Sequence, residues 1–344
     1  MAASRPAAGR RIAASAPGKL AVLGEYAVLD GAPALVLAVD RRCRARIGPS
    51  GSRRSTLETR FPEPARHDVE PGRQTGMALI DAAATGLPGA SPEPWSAVLD
   101  SRELFFDGRK LGLGSSAAAL CAWAGAWAAW TRGGAGLAAS RPSLEQLIEL
   151  HRRFQGGSGS GLDVAAAYTG GVIEFRLQAG TLPQVGSVRL PNSVGFAGIF
   201  AGRSASTPDL VARYRSWKTE RPTEAAERQR VMEDIAEGGC AAARHEDSKE
   251  FLRAVDLYGR QLDVLGRAIG ADIVTVEHRA IGEHARRFGV TYKVSGAGGG
   301  DLGLALAADD DALRAFERAV GDDGYQVIDL CLDRQGMVVE EQAE

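Results

Sequence analysis

The sequence predicts an α+β fold in two units, on three observations. Strand-like and helical segments come in blocks instead of alternating one for one. A long helical block fills residues 207 to 287, with strand-rich regions on either side of it. At 344 residues the chain is also long enough for two cores. We place the division near residues 178–192, giving units of 1–185 and 186–344.

The elements follow in order. "RRIAASA", "LAVLGEYAVL" and "ALVLAVDRRCRARI" read as strands, the last alternating apolar and basic residues in its second half. Residues 48–74 are polar and proline-rich, and read as an exposed excursion. A helix is expected over Gln74–Thr85, then a strand in "WSAVLDSRELF" and a turn at Asp107-Gly108. Helices are expected from Ser115 to Trp130 and from Ser143 to Phe154, the second opened by the capping-box spacing of Ser143 and Gln146. Strands at Val172–Arg176 and Val194–Ala201 precede the helical block. The chain then closes with "VTYKVSG", "LGLALAA", the helix "DDALRAFERAV" and "YQVIDLCLD".

Composition bounds the function. A formal net charge of -2 gives no support to a nucleic-acid or membrane-surface partner, although a local basic pocket could still take a small anion. Cys43, Cys121, Cys240 and Cys331 are far apart and lack metal-ligand spacing, so free thiols in a reducing compartment are expected. No apolar run reaches transmembrane length. The acid-free opening "MAASRPAAGRRIAASA" lacks the apolar core of a signal peptide and reads as a lead into the first strand, so a cytoplasmic location is expected.

Three glycine clusters carry the chemistry. In "GRKLGLGSSAAALCAW", Gly112 and Gly114 let the backbone come close to a ligand, and Ser115 and Ser116 stand at a positive helix end. That is an anion site suited to phosphate, or else a tight turn with a serine cap. It is not a Walker A loop, since no GK[ST] follows. In "GGSGSGLDVAAAYTGG", Asp163 is either a first-turn aspartate or a carboxylate set beside a reaction centre. In "KVSGAGGGDLGLAL", Gly298, Gly300 and Gly303 match GxGxxG, but they precede a strand-like run, which argues against a dinucleotide fingerprint. Near the amino end, Lys19 in "APGKLAVLGEYAVLDG" heads an apolar strand and needs a partner, for which Asp163 is suitable.

The segments "PGKLAVLGEYAVLDG", "GLGSSAAA" and "KVSGAGGGDLGLAL" resemble, in order, the three motifs of the GHMP kinases. The resemblance spans about residues 15–307. It implies a ribosomal-protein-S5-like amino-terminal domain, a ferredoxin-like carboxy-terminal domain, and ATP and Mg²⁺ between them. Within the family, "KLGLGSSAA", "HRRFQGGSGSGLDVAAAYTGG" and "FAGRSASTPDLV" look most like bacterial-type phosphomevalonate kinases. The implied acceptor is then (R)-5-phosphomevalonate, with ADP and 5-diphosphomevalonate as products. Mevalonate kinase or another alcohol or sugar kinase of the family is the second reading, and a non-catalytic ligand-binding relative the third.

The resemblance assigns roles residue by residue. Lys19 and Asp163 are implied as catalytic. Lys110, Gly112, Leu113, Gly114, Ser115, Ser116 and Ala117 would bind ATP, with Ser115 and Ser116 also the implied metal ligands. The acceptor would meet Glu25 and Tyr26, Ser158, Gly159, Ser160 and Gly161, then Ser204, Ala205, Ser206 and Thr207, and finally Gly296, Ala297, Gly298 and Gly299. One departure stands out. Where mevalonate kinase carries a magnesium-holding glutamate, about eleven residues before the aspartate, this chain has Arg152, with Glu149 nearby. A monomer or homodimer is expected.

Overall fold

The structure, a computed structural model, describes residues 10–342 apart from 61–63, 71–74, 88, 90, 92, 133–135, 158, 179–181 and 203–205, and apart from the side chains at 84, 138 and 139. Two long strands form the spine of the first sheet, β1 (Arg11–Leu23) and β2 (Ala34–Pro49), connected through a 3-10 turn at Ala27–Asp30. They pair antiparallel, with register shifts at Pro17/Gly18 and Ala21/Leu23. Next come β3 (Ser55–Arg60), β4 (Pro64–Val69), α1 (Ala78–Gly86) and β5 (Trp95–Asp100). A small hairpin, β6 (Phe105–Phe106) and β7 (Arg109–Lys110), turns at Asp107 and Gly108. Both turn residues have positive φ, as a tight two-residue hairpin needs.

Four helices follow: α2 (Ser115–Thr131), α3 (Leu137–Ser140), α4 (Leu144–Phe154) and α5 (Leu162–Thr169). Then come β8 (Val172–Arg176) and β9 (Gln184–Val188). Every residue of α2 from Ala117 to Trp130 is buried. A helix apolar all round belongs inside a core, and α2 packs against both β1 and β2. Its Trp123 and Trp127 stack on each other and meet Trp95 of β5 edge-on or tilted. At α4 the expected capping box is formed, with Ser143 and Gln146 bonding each other's backbone.

The remainder comprises β10 (Gly195–Phe200), α6 (Thr207–Glu220), α7 (Pro222–Arg244), α8 (Ser248–Ala268), α9 (Val276–Arg287), β11 (Thr291–Val294), β12 (Leu302–Ala307), α10 (Asp310–Asp322), β13 (Gln326–Ile328) and β14 (Val338–Gln342). The second sheet runs β11-β12-β10-β13, all antiparallel. Its β12 alternates: Ala305 and Ala307 face Phe316 and Val320 of α10 and Ile281 of α9, while Leu304 and Leu306 join the large core that holds α8.

Two features differ from the sequence expectation. Residues 48–74 are not a plain excursion, because β3 and β4 pair antiparallel and β3 runs parallel to β5. The buried face of β3 carries Ser55, Leu57 and Thr59, and that polar content hides the alternation. The first sheet also reaches past residue 185: its order is β14-β1-β2-β5-β3-β4, with β8 on β2 and β9 on β8. Among the described residues no helix is long and apolar enough to cross a membrane. Cys43, Cys121 and Cys240 are buried free thiols pushed up to about 12 by burial, and Cys331 is an exposed free thiol.

Candidate active site

Lys19 lies in the buried part of β1, only 6 % exposed. The strand directs it to the start of α2, where its amide donates to Leu113 O at 2.9 Å. Gly18, just before it, leaves no room for a side chain: a methyl there would sit 3.0 Å from Leu104, Leu113 Cβ and Leu113 O. The Lys19 ammonium reaches Asp163 Oδ1 at 3.5 Å. Asp163 belongs to the first turn of α5, behind Gly161 at the N-cap. The partner that the lysine's apolar surroundings demanded is therefore this carboxylate, 144 positions on along the chain.

All three glycine clusters meet at this pair. Gly114, at φ +73, is the N-cap of α2; a methyl on it would sit 3.3 Å from Lys19 Cγ and Cε and 3.6 Å from Asp163 Cβ. No side chain caps that helix start, so Ser115 and Ser116 open the first turn with the positive end turned to the site. From the third cluster, Gly296 lies against Lys19, a methyl on it coming 3.4 Å from Nζ. The same cluster supports the first: the Asp301 side chain packs where a Gly112 side chain would go, at 2.6–2.8 Å. Gly298 is pressed onto Ile273 O, and Gly299 N donates to that oxygen at 2.8 Å.

Ser116 Oγ hydrogen-bonds His151 Nε2 at 3.0 Å. Burial holds His151 below the ordinary histidine range, against the opposing pull of Asp163. A neutral imidazole therefore faces the serine at neutral pH. Lys110 is exposed on β7, and its neighbour Arg109 donates to Gly202 O, just past β10. Leu113 and Ala117 are buried behind the loop.

The residues expected on the acceptor side are divided. Tyr26 donates to Ala297 O at 2.6 Å, tying the end of β1 to the third cluster. Burial and the neighbouring Glu25 raise its phenol above the ordinary range. Glu25 itself is turned inward, where it pairs with Lys293 of β11. Gly159 and Ser160 hold the turn before α5, and Gly161 packs on Ile148. Ser206 and Thr207 stand exposed at the start of α6. Ser158, Ser204 and Ala205 lie outside the described residues.

Sequence reasoning missed the roles of four groups. Lys293 neutralises Glu25, and burial lowers its ammonium from the ordinary lysine range. Ser295 both accepts from Ala21 N at 2.8 Å and donates to Ala21 O at 3.1 Å. His278 bonds Gly300 O at 2.9 Å and Tyr292 Oη at 2.7 Å beneath the third cluster. Arg152 bonds the turn before Asp163. Their signal in the sequence is slight, since each acts across a long separation or through backbone oxygens.

Residues 108–171 match the GHMP kinases N terminal domain. A phosphomevalonate kinase of Streptomyces sp. (strain CL190) is 30% identical over 347 residues, 86% of this chain and 90% of that protein. The chain belongs to the GHMP kinase family. It is also similar to a mevalonate kinase of Thermococcus sibiricus, 28% identical over 96% of this chain and 99% of that protein. In fold, the chain is similar to Streptococcus pneumoniae phosphomevalonate kinase in complex with phosphomevalonate and AMPPNP, with a TM-score of 0.76, 20% identity, and 93% and 99% of the two chains covered.

Proposed function

We propose that this chain is a phosphomevalonate kinase, transferring the γ-phosphoryl group of ATP to the phosphate of (R)-5-phosphomevalonate. The observation that carries a kinase reading is the meeting of three glycine loops and a helix start on the pair of buried Lys19 and partly exposed Asp163. Phosphoryl transfer asks for alignment and charge neutralisation, and these parts supply both. The amides at 112–116 would hold ATP phosphates, and the Lys19 ammonium would neutralise charge on the transferring group. Ser206 and Thr207, exposed at the start of α6, would bind the acceptor's carboxylate or phosphate. The 30% identity to a phosphomevalonate kinase over most of both chains supports this acceptor.

Magnesium fits the donor set in one manner. Among the described residues no three His, Cys, Asp or Glu side chains cluster into a metal cage. Hydroxyls at Ser115 and Ser116 and the carboxylate of Asp163 suit a hard cation that keeps waters and arrives on nucleotide phosphates. When bound, the ion would neutralise phosphate charge. Two-unit organisation completes the reading: the first unit runs through β9 and takes back β14, with the second between them.

Mevalonate kinase is the second reading, favoured by the 28% identity over nearly the whole of both chains. The test is ADP release from Mg²⁺ATP with mevalonate, 5-phosphomevalonate, 5-diphosphomevalonate and a panel of sugars. Turnover is expected with 5-phosphomevalonate alone. Turnover with mevalonate or a sugar would overturn the acceptor, and none with any of them would overturn the kinase.

A further inference from the structure

We propose that Arg152 is a positioning residue for Asp163, clamping the glycine turn that delivers the aspartate to Lys19. The inference rests on Asp163 acting at the reaction centre, as proposed above. The described residues that lead into α5, Gly156, Gly157 and Gly159 to Gly161, are glycine but for Ser160. Gly156, Gly157 and Gly161 all have positive φ, and methyl groups built on the first two meet nothing within 4 Å. Glycine has the most backbone freedom to lose, so such a turn must be fixed from outside.

Arg152 is the outside support. It stands at the end of α4, whose Leu147, Ile148 and Leu150 are buried and whose start is closed by the capping box. Its Nε donates to Gly159 O at 3.0 Å and its Nη2 to Ser160 O at 3.1 Å. Two donors of one planar fork thus hold two consecutive carbonyls, a geometry that a lysine's single ammonium reproduces poorly. Ser160 passes the constraint on, its Oγ accepting from Leu162 N at 3.2 Å one residue before Asp163. The guanidinium also forms part of the wall of a cavity of about 450 Å³ with Leu29, Asp30, Tyr214 and Lys218. Its replacement therefore changes the clamp without hollowing the core.

The contact it protects is sensitive. The Lys19–Asp163 pair stands at 3.5 Å, and a misplacement of about 1 Å at a reaction centre can cost on the order of 10²-fold in rate. The loss at Arg152 is bounded by what Asp163 itself contributes.

The test is a double-mutant cycle of Arg152→Met and Asp163→Asn in the full chain, with kcat, the KM for ATP, and hydrogen exchange of the amides between 156 and 163. Arg152→Met is expected to lower kcat about three- to tenfold, leave the KM for ATP within about twofold, and speed exchange in the turn. In the Asp163→Asn background the same change is expected to cost less than about twofold. Arg152→Lys should recover part of the rate, and serves should the methionine variant not fold. An equal loss in both backgrounds would overturn the inference, as would a KM for ATP rising in step with the loss. Unchanged exchange in the turn would overturn the clamp whatever the activity. A wild-type kcat in Asp163→Asn with faster exchange in Arg152→Met would instead leave the clamp standing and sink the assigned role of Asp163.

Discussion

Lys19 and Asp163 are the residues on which the acceptor question turns. A phosphate monoester has a second pKa near about 6 and is largely ionised at neutral pH, so it needs no base. An alcohol holds its proton tightly, and a general base there is worth about 10²- to 10⁴-fold. With phosphomevalonate as acceptor, Asp163 orients Lys19 and the acceptor and takes no proton. Asp163→Asn is then expected to lower kcat by about tenfold, whereas Lys19→Met, which removes the charge, should cost about 10²- to 10³-fold. Steady-state kinetics from about pH 7 to 9, above the second pKa of the phosphate, would check this with the acceptor held in one charge state. Equal losses in the two variants, with a wild-type profile that follows a single base, would make the acceptor an alcohol.

At the scale of elements, the loops depend on glycine for two separable reasons, backbone angle and clearance. Gly114 needs both: φ is +73, and a methyl would press on Lys19 at 3.3 Å. Gly108, in the β6–β7 turn, needs only the angle, with φ +71 and nothing within 4 Å. Each alanine variant is expected to lose about 1–2 kcal/mol of stability from the left-handed backbone. Only Gly114→Ala should also lower kcat, by about tenfold or more, because it displaces Lys19. Thermal melts and kcat on the two proteins would decide, and equal kcat values would separate the loop from the chemistry. The same loops mark how far the sequence could be read. The glycine clusters, the buried α2 and the capping box at Ser143 depend on neighbours in the chain, and their local patterns show them. β3 was hidden by Ser55 and Thr59 on its buried face, and β14 by the polar, half-exposed run Val338–Gln342. Arg152 stood out only as a departure from the family's glutamate, and its contacts stayed hidden because it bonds backbone oxygens, which no residue type announces. The Lys19–Asp163 contact was anticipated as a need for a partner, but only the folded sheet could supply the distance.

At the scale of the whole molecule, the two sheets are joined by a polar seam inside a shared core. One hydrophobic cluster takes in Ile12 and Leu37 of the first sheet along with Leu304 and Leu306 of the second. Through it runs the Glu25–Lys293 pair, with side chains 4% and 0% exposed. Tyr258 donates to Glu25 O at 2.8 Å beside it, and Ser295 bonds both backbone groups of Ala21. Glu25 Oε2 is buried without a hydrogen-bond partner, so the carboxylate depends on Lys293 for its compensation. Breaking a buried pair from one side costs about 3–5 kcal/mol, whereas removing both charges leaves nothing uncompensated. Lys293→Met is therefore expected to be destabilised by about that amount, and Glu25→Gln combined with Lys293→Met to regain much of the loss. Because the seam and the core are common to both sheets, wild type should unfold in urea as one transition, with tryptophan fluorescence and far-UV circular dichroism coincident. The tryptophans at 95, 123, 127 and 130 report the first unit and Trp217 the helix after β10, so a fluorescence change that preceded the loss of helix would show the units parting. A loss below about 1 kcal/mol in Lys293→Met, or a double variant no better than the single one, would mean that the carboxylate finds its compensation elsewhere and that the seam is not what couples the sheets.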